Sequence, residues 1–164
     1  MPSFHLDYVG AFRDDDRDRL SPMKAAAHSD TRLLIVEDDA ALHELIARLA
    51  RRQGFEVESA YTGEHALSLL RSSHGSVDWL LADIRLPGLI SGWVVGSEFS
   101  LTHPLRPVIY ISGCEEDHSR RPVGSLFLKK PVDVYDLLSS FQQMSIQAAL
   151  AGGLGSARAL PIVP

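Results

Sequence analysis

The sequence predicts an α/β fold: a doubly wound parallel sheet of five strands in the order 2-1-3-4-5. Short apolar runs alternate with amphipathic segments along the chain, and each return to a parallel strand requires such a crossover. Four of the runs end in residues that bear acids, a hydroxyl or an ammonium group. Because the carboxyl ends of parallel strands meet at one edge of a sheet, these groups are expected to form a site.

The five predicted strands differ in how deeply they should be buried. Residues 33–36 are continuously apolar, as in a strand that is covered on both faces. Residues 55–60 alternate, so this second strand is expected nearer the sheet edge. The remaining strands are predicted at residues 77–82, 107–111 and 125–128.

The predicted helices fill the segments between these strands. Asp39 is expected to cap the first helix and Thr62 the second. A third helix is predicted around residues 93–100, although Gly92 and Gly96 weaken its helical propensity. The first and last helices are indicated by apolar residues at helical spacing: Leu42, Leu45, Ile46 and Leu49, and later Val134, Leu137, Leu138 and Phe141.

Length and composition predict one domain with two tails. A chain of 164 residues that is 45% hydrophobic can bury a single sound core. Residues 31–147 are the predicted domain. Residues 1–30 are expected to form a disordered arm, and the Ala/Gly-rich residues 148–164 a flexible tail.

Charge and cysteine content exclude several classes of function. The net charge of −5 argues against nucleic acid as the main ligand. No apolar run approaches the length that spans a membrane, and the N-terminus lacks an export signal. The single Cys114 excludes a disulfide framework within the chain and fits a reducing compartment. We therefore expect a cytoplasmic protein.

The predicted site combines acids with a hydroxyl and an amine: Glu37, Asp38, Asp83, Ser112 and Lys130. Neighbouring strands lie roughly 4.8 Å apart, so these side chains should crowd one rim of the sheet. Carboxylates at such separations raise one another's pKa values or recruit a cation. An acid-rich, all-oxygen site favours Mg²⁺.

Asp83 follows the central buried run, which makes it the carboxylate best placed to act as a nucleophile. An aspartate that attacks a phosphoryl group forms an acyl phosphate. Such transfer depends on positioning and on neutralising the equatorial phosphoryl oxygens. Mg²⁺ held by Glu37 and Asp38, the Lys130 ammonium and the Ser112 hydroxyl would each take one oxygen.

Four sequence blocks carry these residues: LIVEDD at 34–39, LLADIRLPG at 80–88, VIYISG at 108–113 and FLKKP at 127–131. In this combination the stretch from residue 31 to about 144 resembles the receiver domain of bacterial two-component response regulators. The resemblance implies a flavodoxin-like fold. It also implies that Asp83 is the phospho-acceptor, that Glu37 and Asp38 are the metal pair, and that the Arg85 backbone carbonyl is a further metal ligand.

The resemblance further implies a switch and a set of partners. Ser112 matches the switch hydroxyl, Phe127 the switch aromatic residue, and Lys130 the lysine that precedes proline in the family. A histidine kinase or a histidine phosphotransfer protein would supply the phosphoryl group, and an unknown downstream protein would read it. Such a domain signals rather than acting as an enzyme, with at most slow self-dephosphorylation. Homodimer formation is left open.

Two departures from the family pattern affect the expected output. Only seventeen residues separate Ser112 from Lys130, and Arg120-Arg121-Pro122 interrupts them. The fourth helix of the family is therefore expected to be short or missing. No DNA-binding segment follows the predicted domain, so we expect a stand-alone receiver that signals through protein contacts.

Two other functions remain open from the sequence. A receiver-like interaction module that ignores phosphorylation is favoured by the shortened fourth helix, but the intact set of site residues speaks against it. A Mg²⁺-dependent phosphatase with an aspartyl intermediate would need a second acid two residues after Asp83. That position is Arg85, which cannot donate its proton at ordinary pH.

The remaining polar and aromatic residues have simpler interpretations. The histidines share no ligand spacing, so surface or helix-flank positions are expected for them rather than a metal cluster. Trp79 and Trp93 are expected in the core. Lys129 is expected to face solvent, while Lys130 points into the site.

Overall fold

The computed structural model describes residues 31–72, 76–106, 108–113 and 124–155 of the chain. Within these residues, strands and helices alternate as the sequence predicted. In chain order they are β1 (Arg32–Val36), α1 (Ala40–Arg52), β2 (Glu56–Ala60), α2 (Gly63–Ser72), β3 (Trp79–Asp83), α3 (Gly92–Thr102), β4 (Val108–Ser112), β5 (Leu126–Lys129) and α4 (Val134–Gly155).

The five strands form one parallel sheet in the order β2-β1-β3-β4-β5, which confirms the predicted topology. The register brings the carboxyl ends of the central strands level. Val36 at the end of β1 lies opposite Ala82 of β3, and Asp83 lies opposite Ile111 of β4. The residues that follow these strands therefore share one edge of the sheet.

Helices on both faces of the sheet create two cores. Alternate residues of β1 point to opposite faces, as the period of a strand requires. Leu33 and Ile35 pack in the core with residues of α1 and α4, whereas Leu34 and Val36 pack in the core with residues of α2 and α3. β3 and β4 are buried along their whole length. The edge strand β2 is only half-buried, as its alternating sequence predicted.

Two side-chain caps define where the first helices begin. Asp39 Oδ1 accepts hydrogen bonds from the amides of Ala41 at 2.9 Å and Leu42 at 3.0 Å. Thr62 Oγ1 accepts one from the amide of His65 at 3.2 Å. Both caps were predicted, and each satisfies amides that a helix terminus leaves without a partner. The Asp39 cap also sets the length of the connection that carries Glu37 and Asp38.

α3 packs against the sheet more closely than any residue larger than glycine would allow at two positions. A Cβ atom at Gly92 would overlap the backbone oxygen of Asp83, and one at Gly96 would overlap the phenol oxygen of Tyr110. The Tyr110 ring packs against Trp93 with a centroid distance of 4.5 Å. These glycines reduce helix propensity, but they let α3 begin directly on the end of β3.

His43 differs from the surface position that was expected for the histidines. Its ring is only 3% exposed on α1 and packs on Tyr61 with a centroid distance of 4.7 Å. Tyr61 directly follows β2 and covers the ring, and burial lowers the pKa of His43. Of the surface or helix-flank positions expected for the histidines, the surface position is therefore wrong for His43. Trp79 and Trp93 are buried, as predicted.

The structure describes the C-terminal helix to residue 155, but not the N-terminal segment or the segment before β5. α4 continues to Gly155, past the boundary predicted at residue 147; residues 148–151 are alanine and leucine, which are strong helix formers. The expected N-terminal arm and the short or missing fourth helix of the family fall at residues 1–30 and 114–123, outside the described residues. No helix in the described part of the chain has the length and apolar character to cross a membrane.

We predict that Gly96→Ala destabilises the protein by about 1–3 kcal/mol, the usual cost of overpacking a core. At an exposed helix position the same change would stabilise by up to about 1 kcal/mol, so the sign of the effect tests the contact with Tyr110. Urea unfolding measures it. Gly113→Ala, where a Cβ would meet no atom within 4 Å, is the control and should change stability little. An unchanged or higher stability for Gly96→Ala would contradict the packing.

Candidate functional site

The acidic pair after β1 is held in place by both backbone and side-chain hydrogen bonds. The amide of Glu37 donates to the carbonyl of Ala60 at 3.2 Å, which ties it to the end of β2. Glu37 Oε1 accepts from the amide of Asp39 at 3.1 Å. Glu37 is fully buried, whereas its neighbour Asp38 is exposed. The pair thus presents one carboxylate inside the site and one at its mouth.

Asp83 is the last residue of β3, and both of its carboxylate oxygens have partners. Oδ1 accepts a hydrogen bond from the amide of Arg85 at 2.9 Å, and Oδ2 accepts one from Lys130 Nζ at 2.5 Å. The side chain is almost completely buried. The next residue is also fixed, since the amide of Ile84 donates to the carbonyl of Ile111 at 2.9 Å. Asp83 therefore has a defined orientation at the centre of the sheet edge.

Lys130 joins the acids that come from different strands. Its Nζ lies 2.5 Å from Asp83 Oδ2 and 2.9 Å from each of the two carboxylate oxygens of Glu37. Its backbone amide donates to the carbonyl of Ser112 at 2.6 Å, which connects it to the end of β4. Lys129, the preceding residue, is exposed. Of the two adjacent lysines, it is Lys130 that points into the site.

Burial and charge act on the titratable groups of the site in opposite directions. Burial raises the pKa of Glu37, and the hydrogen bond and charge of Lys130 only partly oppose that effect. Burial alone would lower the pKa of Lys130, but its hydrogen bonds to Asp83 and Glu37 outweigh this and raise it. Lys130 is therefore a cation at neutral pH, and it compensates acids that are shielded from water.

The three acids fit a divalent metal ion. Carboxylate oxygens of Glu37, Asp38 and Asp83 lie within 4.8 Å of one another, the only such group of metal-ligating side chains in the part of the chain that the structure describes. Oxygen ligands select hard cations, and Mg²⁺ commonly binds through a few carboxylates while keeping several waters. Exposed Asp38 leaves one side of the group open to solvent. One ammonium against three acids also leaves negative charge for a cation to neutralise.

The two residues assigned to the switch occupy neighbouring strands. Ser112 is fully buried as the last residue of β4, one position beyond Ile111, the register partner of Asp83. Phe127 lies on β5 opposite Tyr110, half-buried and packed against the core beneath α2 and α3. Ser112 thus lies one strand from Asp83 and Phe127 two strands from it, both on the side of β3 away from β1.

Arg85 is an exposed residue that contributes its backbone to the site. Its amide donates to the Asp83 carboxylate. That bond closes a tight turn directly after β3 and keeps the start of the following loop close to the Asp83 carboxylate. The metal-ligand role of its carbonyl stays a prediction.

Sequence reasoning did not identify Glu64, which connects α2 to the loop after Asp83. Glu64 Oε1 accepts a hydrogen bond from the amide of Leu89 at 2.9 Å. The hydrogen bond from the amide of Leu89, followed in size by the effect of its own backbone amide, holds the pKa of Glu64 below its usual value. An acid in the first turn of a helix is a common feature of helices. Nothing in the sequence indicates that this one lies beside a loop 25 residues further along the chain.

Comparison with known proteins agrees with this geometry. The family model of the response regulator receiver domain matches residues 33–142. The chain belongs to this family. Receiver domains are signalling domains of two-component systems, where they interact with histidine kinases and bind Mg²⁺ at an acidic pocket. The grouped acids Glu37, Asp38 and Asp83 lie at the corresponding edge of this receiver domain.

Individual relatives place the receiver domain in several kinds of protein. The sensor kinase CckA of Brucella abortus is 30% identical over 116 residues, covering 68% of this chain and 12% of the relative. The uncharacterized transcriptional regulatory protein YbdJ of Bacillus subtilis is 28% identical over 116 residues, covering 69% of this chain and 50% of the relative. This chain therefore spans half or less of the length of these curated relatives.

A solved structure shows the same fold. The response regulator receiver protein from Sinorhizobium medicae is 28% identical, with a TM-score of 0.66. The match covers 70% of this chain and 93% of the other. The fold class predicted from the sequence, and the resemblance on which the site assignment was based, are thus confirmed at the level of the family.

We predict that Glu37→Gln raises the unfolding free energy relative to the wild type, and raises it more as the pH increases. Folding raises the pKa of Glu37 above 4.5, so the folded state holds this proton more tightly than the unfolded chain does. Its contribution to stability is therefore complete below about pH 4.5 and is lost as the pH rises through the folded-state pKa. A tenfold difference in proton affinity between the two states corresponds to about 1.4 kcal/mol.

Urea unfolding of both proteins without Mg²⁺, between about pH 4 and pH 8, measures this difference. Addition of Mg²⁺ should then stabilise the wild type more than Glu37→Gln, because the variant lacks one of the three carboxylates that would hold the ion. If the stability difference between the two proteins stayed constant across this pH range, the pKa of Glu37 would not be raised by burial.

Proposed function

We propose that this receiver domain accepts a phosphoryl group on Asp83, with Mg²⁺ bound, from a histidine kinase or a histidine phosphotransfer protein. The phosphorylated domain then signals through protein contacts. One observation carries the proposal: Asp83 is buried at the centre of the sheet edge, hydrogen-bonded to Lys130 and grouped with Glu37 and Asp38. A nucleophile, a metal-ligand set and a cation for phosphoryl oxygens are thus gathered in one place.

The transfer itself is a displacement at phosphorus. A carboxylate oxygen of Asp83 forms a bond to the phosphorus as the bond from phosphorus to the donor histidine nitrogen breaks. The histidine nitrogen keeps the electron pair of that bond, and the product on this protein is an acyl phosphate. When bound, Mg²⁺ would be held by Glu37, Asp38 and Asp83 and would neutralise negative charge on the phosphoryl oxygens.

The protein contributes orientation and charge to this step. The amide of Arg85 fixes the plane of the Asp83 carboxylate through Oδ1, which reduces the entropy lost on reaching an in-line geometry. The Lys130 ammonium, held at Asp83 Oδ2, is close enough to neutralise the incoming phosphoryl group as a fixed point charge. The buried Ser112 hydroxyl would donate a further hydrogen bond to the phosphoryl group.

Ser112 would pass the change at Asp83 on to β5. When Ser112 turns toward the phosphoryl group, it vacates space at the end of β4, and the half-buried Phe127 on β5 can move into it. The hydrogen bond between the Lys130 amide and the Ser112 carbonyl links these two strand ends. A change at Asp83 would thereby reach the surface near β5, where a downstream protein would bind.

No observation favours the other functions that the sequence left open. An interaction module that ignores phosphorylation does not require the buried acids and the ammonium, which are costly to bury. A phosphatase would need a proton donor two residues after Asp83, and the guanidinium of Arg85 cannot serve. The stand-alone arrangement, the cytoplasmic location, the absence of a nucleic acid ligand and the formation of a homodimer stay predictions.

We predict that the wild-type protein, incubated with Mg²⁺ and acetyl phosphate, gains the mass of one phosphoryl group and that Asp83→Asn gains none. The amide of asparagine keeps the shape of the side chain but lacks the nucleophilic carboxylate. Chelation of Mg²⁺ should abolish labelling of the wild type. Intact-mass spectrometry measures the modification, and transfer from candidate histidine kinases identifies the donor.

The control is Asp39→Asn, which changes an acid of the same acidic run. Asp39 caps α1, and asparagine is an equally good cap, so this variant should be labelled like the wild type. Labelling of Asp83→Asn at the wild-type level would overturn the assignment of the acceptor. Labelling that persists without a divalent ion would overturn the role of the acids as a metal site.

A further inference from the structure

The outer turn of the loop between β3 and α3 has no buried side chain to anchor it. Pro87, Gly88 and Leu89 are all exposed, and Leu89 is 95% exposed. The same loop begins with Ile84 and Arg85, whose backbone lies directly against Asp83. Leu86 and Ile90 on either side of this turn are partly buried and pack against the core, so residues 87–89 are held at both ends but have no apolar anchor of their own.

Glu64 makes the contact that holds this turn. From the first turn of α2, its Oε1 accepts a hydrogen bond from the amide of Leu89 at 2.9 Å. Gly88 permits this approach: its φ is +96°, and a Cβ atom there would lie only 2.8 and 2.9 Å from the two carboxylate oxygens of Glu64. Glycine adopts such a φ without strain, and it leaves room for the carboxylate.

The backbone of α2 also touches the loop, beside this hydrogen bond. A Cβ atom at Gly63 would overlap the carbonyl oxygen of Ile90. α2 itself follows the end of β2, where the carbonyl of Ala60 accepts the amide of Glu37. The chain from Ala60 to the first turn of α2 thus contacts Glu37 at its start and the loop after Asp83 at its end.

We propose that Glu64 is a positioning residue for the metal site, acting as a hydrogen-bond acceptor that holds the β3–α3 loop so that the Arg85 backbone stays against Asp83. Loss of this acceptor weakens Mg²⁺ binding without removing any group that would touch the ion. The inference rests on the proposed function, because it assumes that Mg²⁺ binds among Glu37, Asp38 and Asp83.

The geometry assigns this role to the acceptor oxygen rather than to the negative charge. Glu64 is exposed, so water and salt screen its field at the acids. The hydrogen bond from the Leu89 amide is directional and of ordinary length, 2.9 Å, and a glutamine in the same place would retain an oxygen acceptor. Comparing alanine with glutamine at this position therefore separates the two effects.

The experiment is a calorimetric titration of the full chain with Mg²⁺ for the wild type, Glu64→Ala, Glu64→Gln and Glu44→Ala. We expect Glu64→Ala to raise the Kd for Mg²⁺ about three- to tenfold, the change that corresponds to the loss of one ordinary hydrogen bond at a solvent-exposed acceptor. Glu64→Gln should stay within about twofold of the wild type, because the acceptor is restored. Glu44→Ala removes an exposed acid of α1 that pairs only loosely with Arg48, at 3.6 Å, and should bind like the wild type.

A second readout separates positioning from general damage to the fold. Labelling by acetyl phosphate should be slower for Glu64→Ala at limiting Mg²⁺ and should return to the wild-type rate when Mg²⁺ is saturating. Gly88→Ala keeps the carboxylate but pushes it away from the turn, so it should weaken Mg²⁺ binding in the same direction. Far-ultraviolet circular dichroism at the titration temperature shows that each variant is folded.

Two results would overturn the inference. One is a wild-type Kd in Glu64→Ala, and the other is equal weakening in Glu64→Gln and Glu64→Ala, which would assign the effect to charge. Failure of the proposed function gives a different result, because the wild type itself would then neither bind Mg²⁺ at the acids nor become labelled.

Discussion

The ion pairs of Lys130 hold the site together. One ammonium, on the residue after β5, contacts Asp83 from β3 and both oxygens of Glu37 from the end of β1. Buried acids are costly unless a counter-charge accompanies them. Removing the shared cation would leave both acids without a counter-charge, which in fully buried pairs costs about 3–5 kcal/mol. The Lys130 side chain is 25% exposed, so solvent reduces the value here. Even so, three separate chain segments depend on this single amine.

The sheet order makes this interaction available. Residues 37, 83 and 130 are far apart in sequence, but in the order β2-β1-β3-β4-β5 their strands are close neighbours with level carboxyl ends. Two buried cores, one on each face, keep the central strands rigid. Gly92 lets α3 start directly on the backbone of Asp83, so the start of α3 supports the end of β3. Rigid support of this kind is what precise positioning of a reacting group requires.

Burying these acids lowers the stability of the folded protein. Glu37 is fully buried although burial raises its pKa, and three acids share one compensating cation. Apolar residues that fill the same volume would give the folded state a higher stability. Uncompensated buried charges are typical of sites that bind a charged ligand, because the ligand supplies the missing counter-charge. In this receiver domain a divalent cation bound at the three acids would supply the missing charge.

Much of the molecule was determined by the sequence itself. The apolar runs and helical spacings predicted the strands, their order and the four described helices, and the caps Asp39 and Thr62 marked where two helices begin. Because parallel strands align their carboxyl ends, the same patterns also placed Glu37, Asp38, Asp83 and Lys130 at one edge.

Only the tertiary structure decided contacts between surfaces that local patterns do not relate. It placed Tyr61 over His43, fitted Gly96 against Tyr110, and brought Glu64 to the amide of Leu89. Periodicity specifies which face of an element is buried. It does not specify which distant residue that face will meet, since this depends on how helices pack across the sheet once the whole chain has folded.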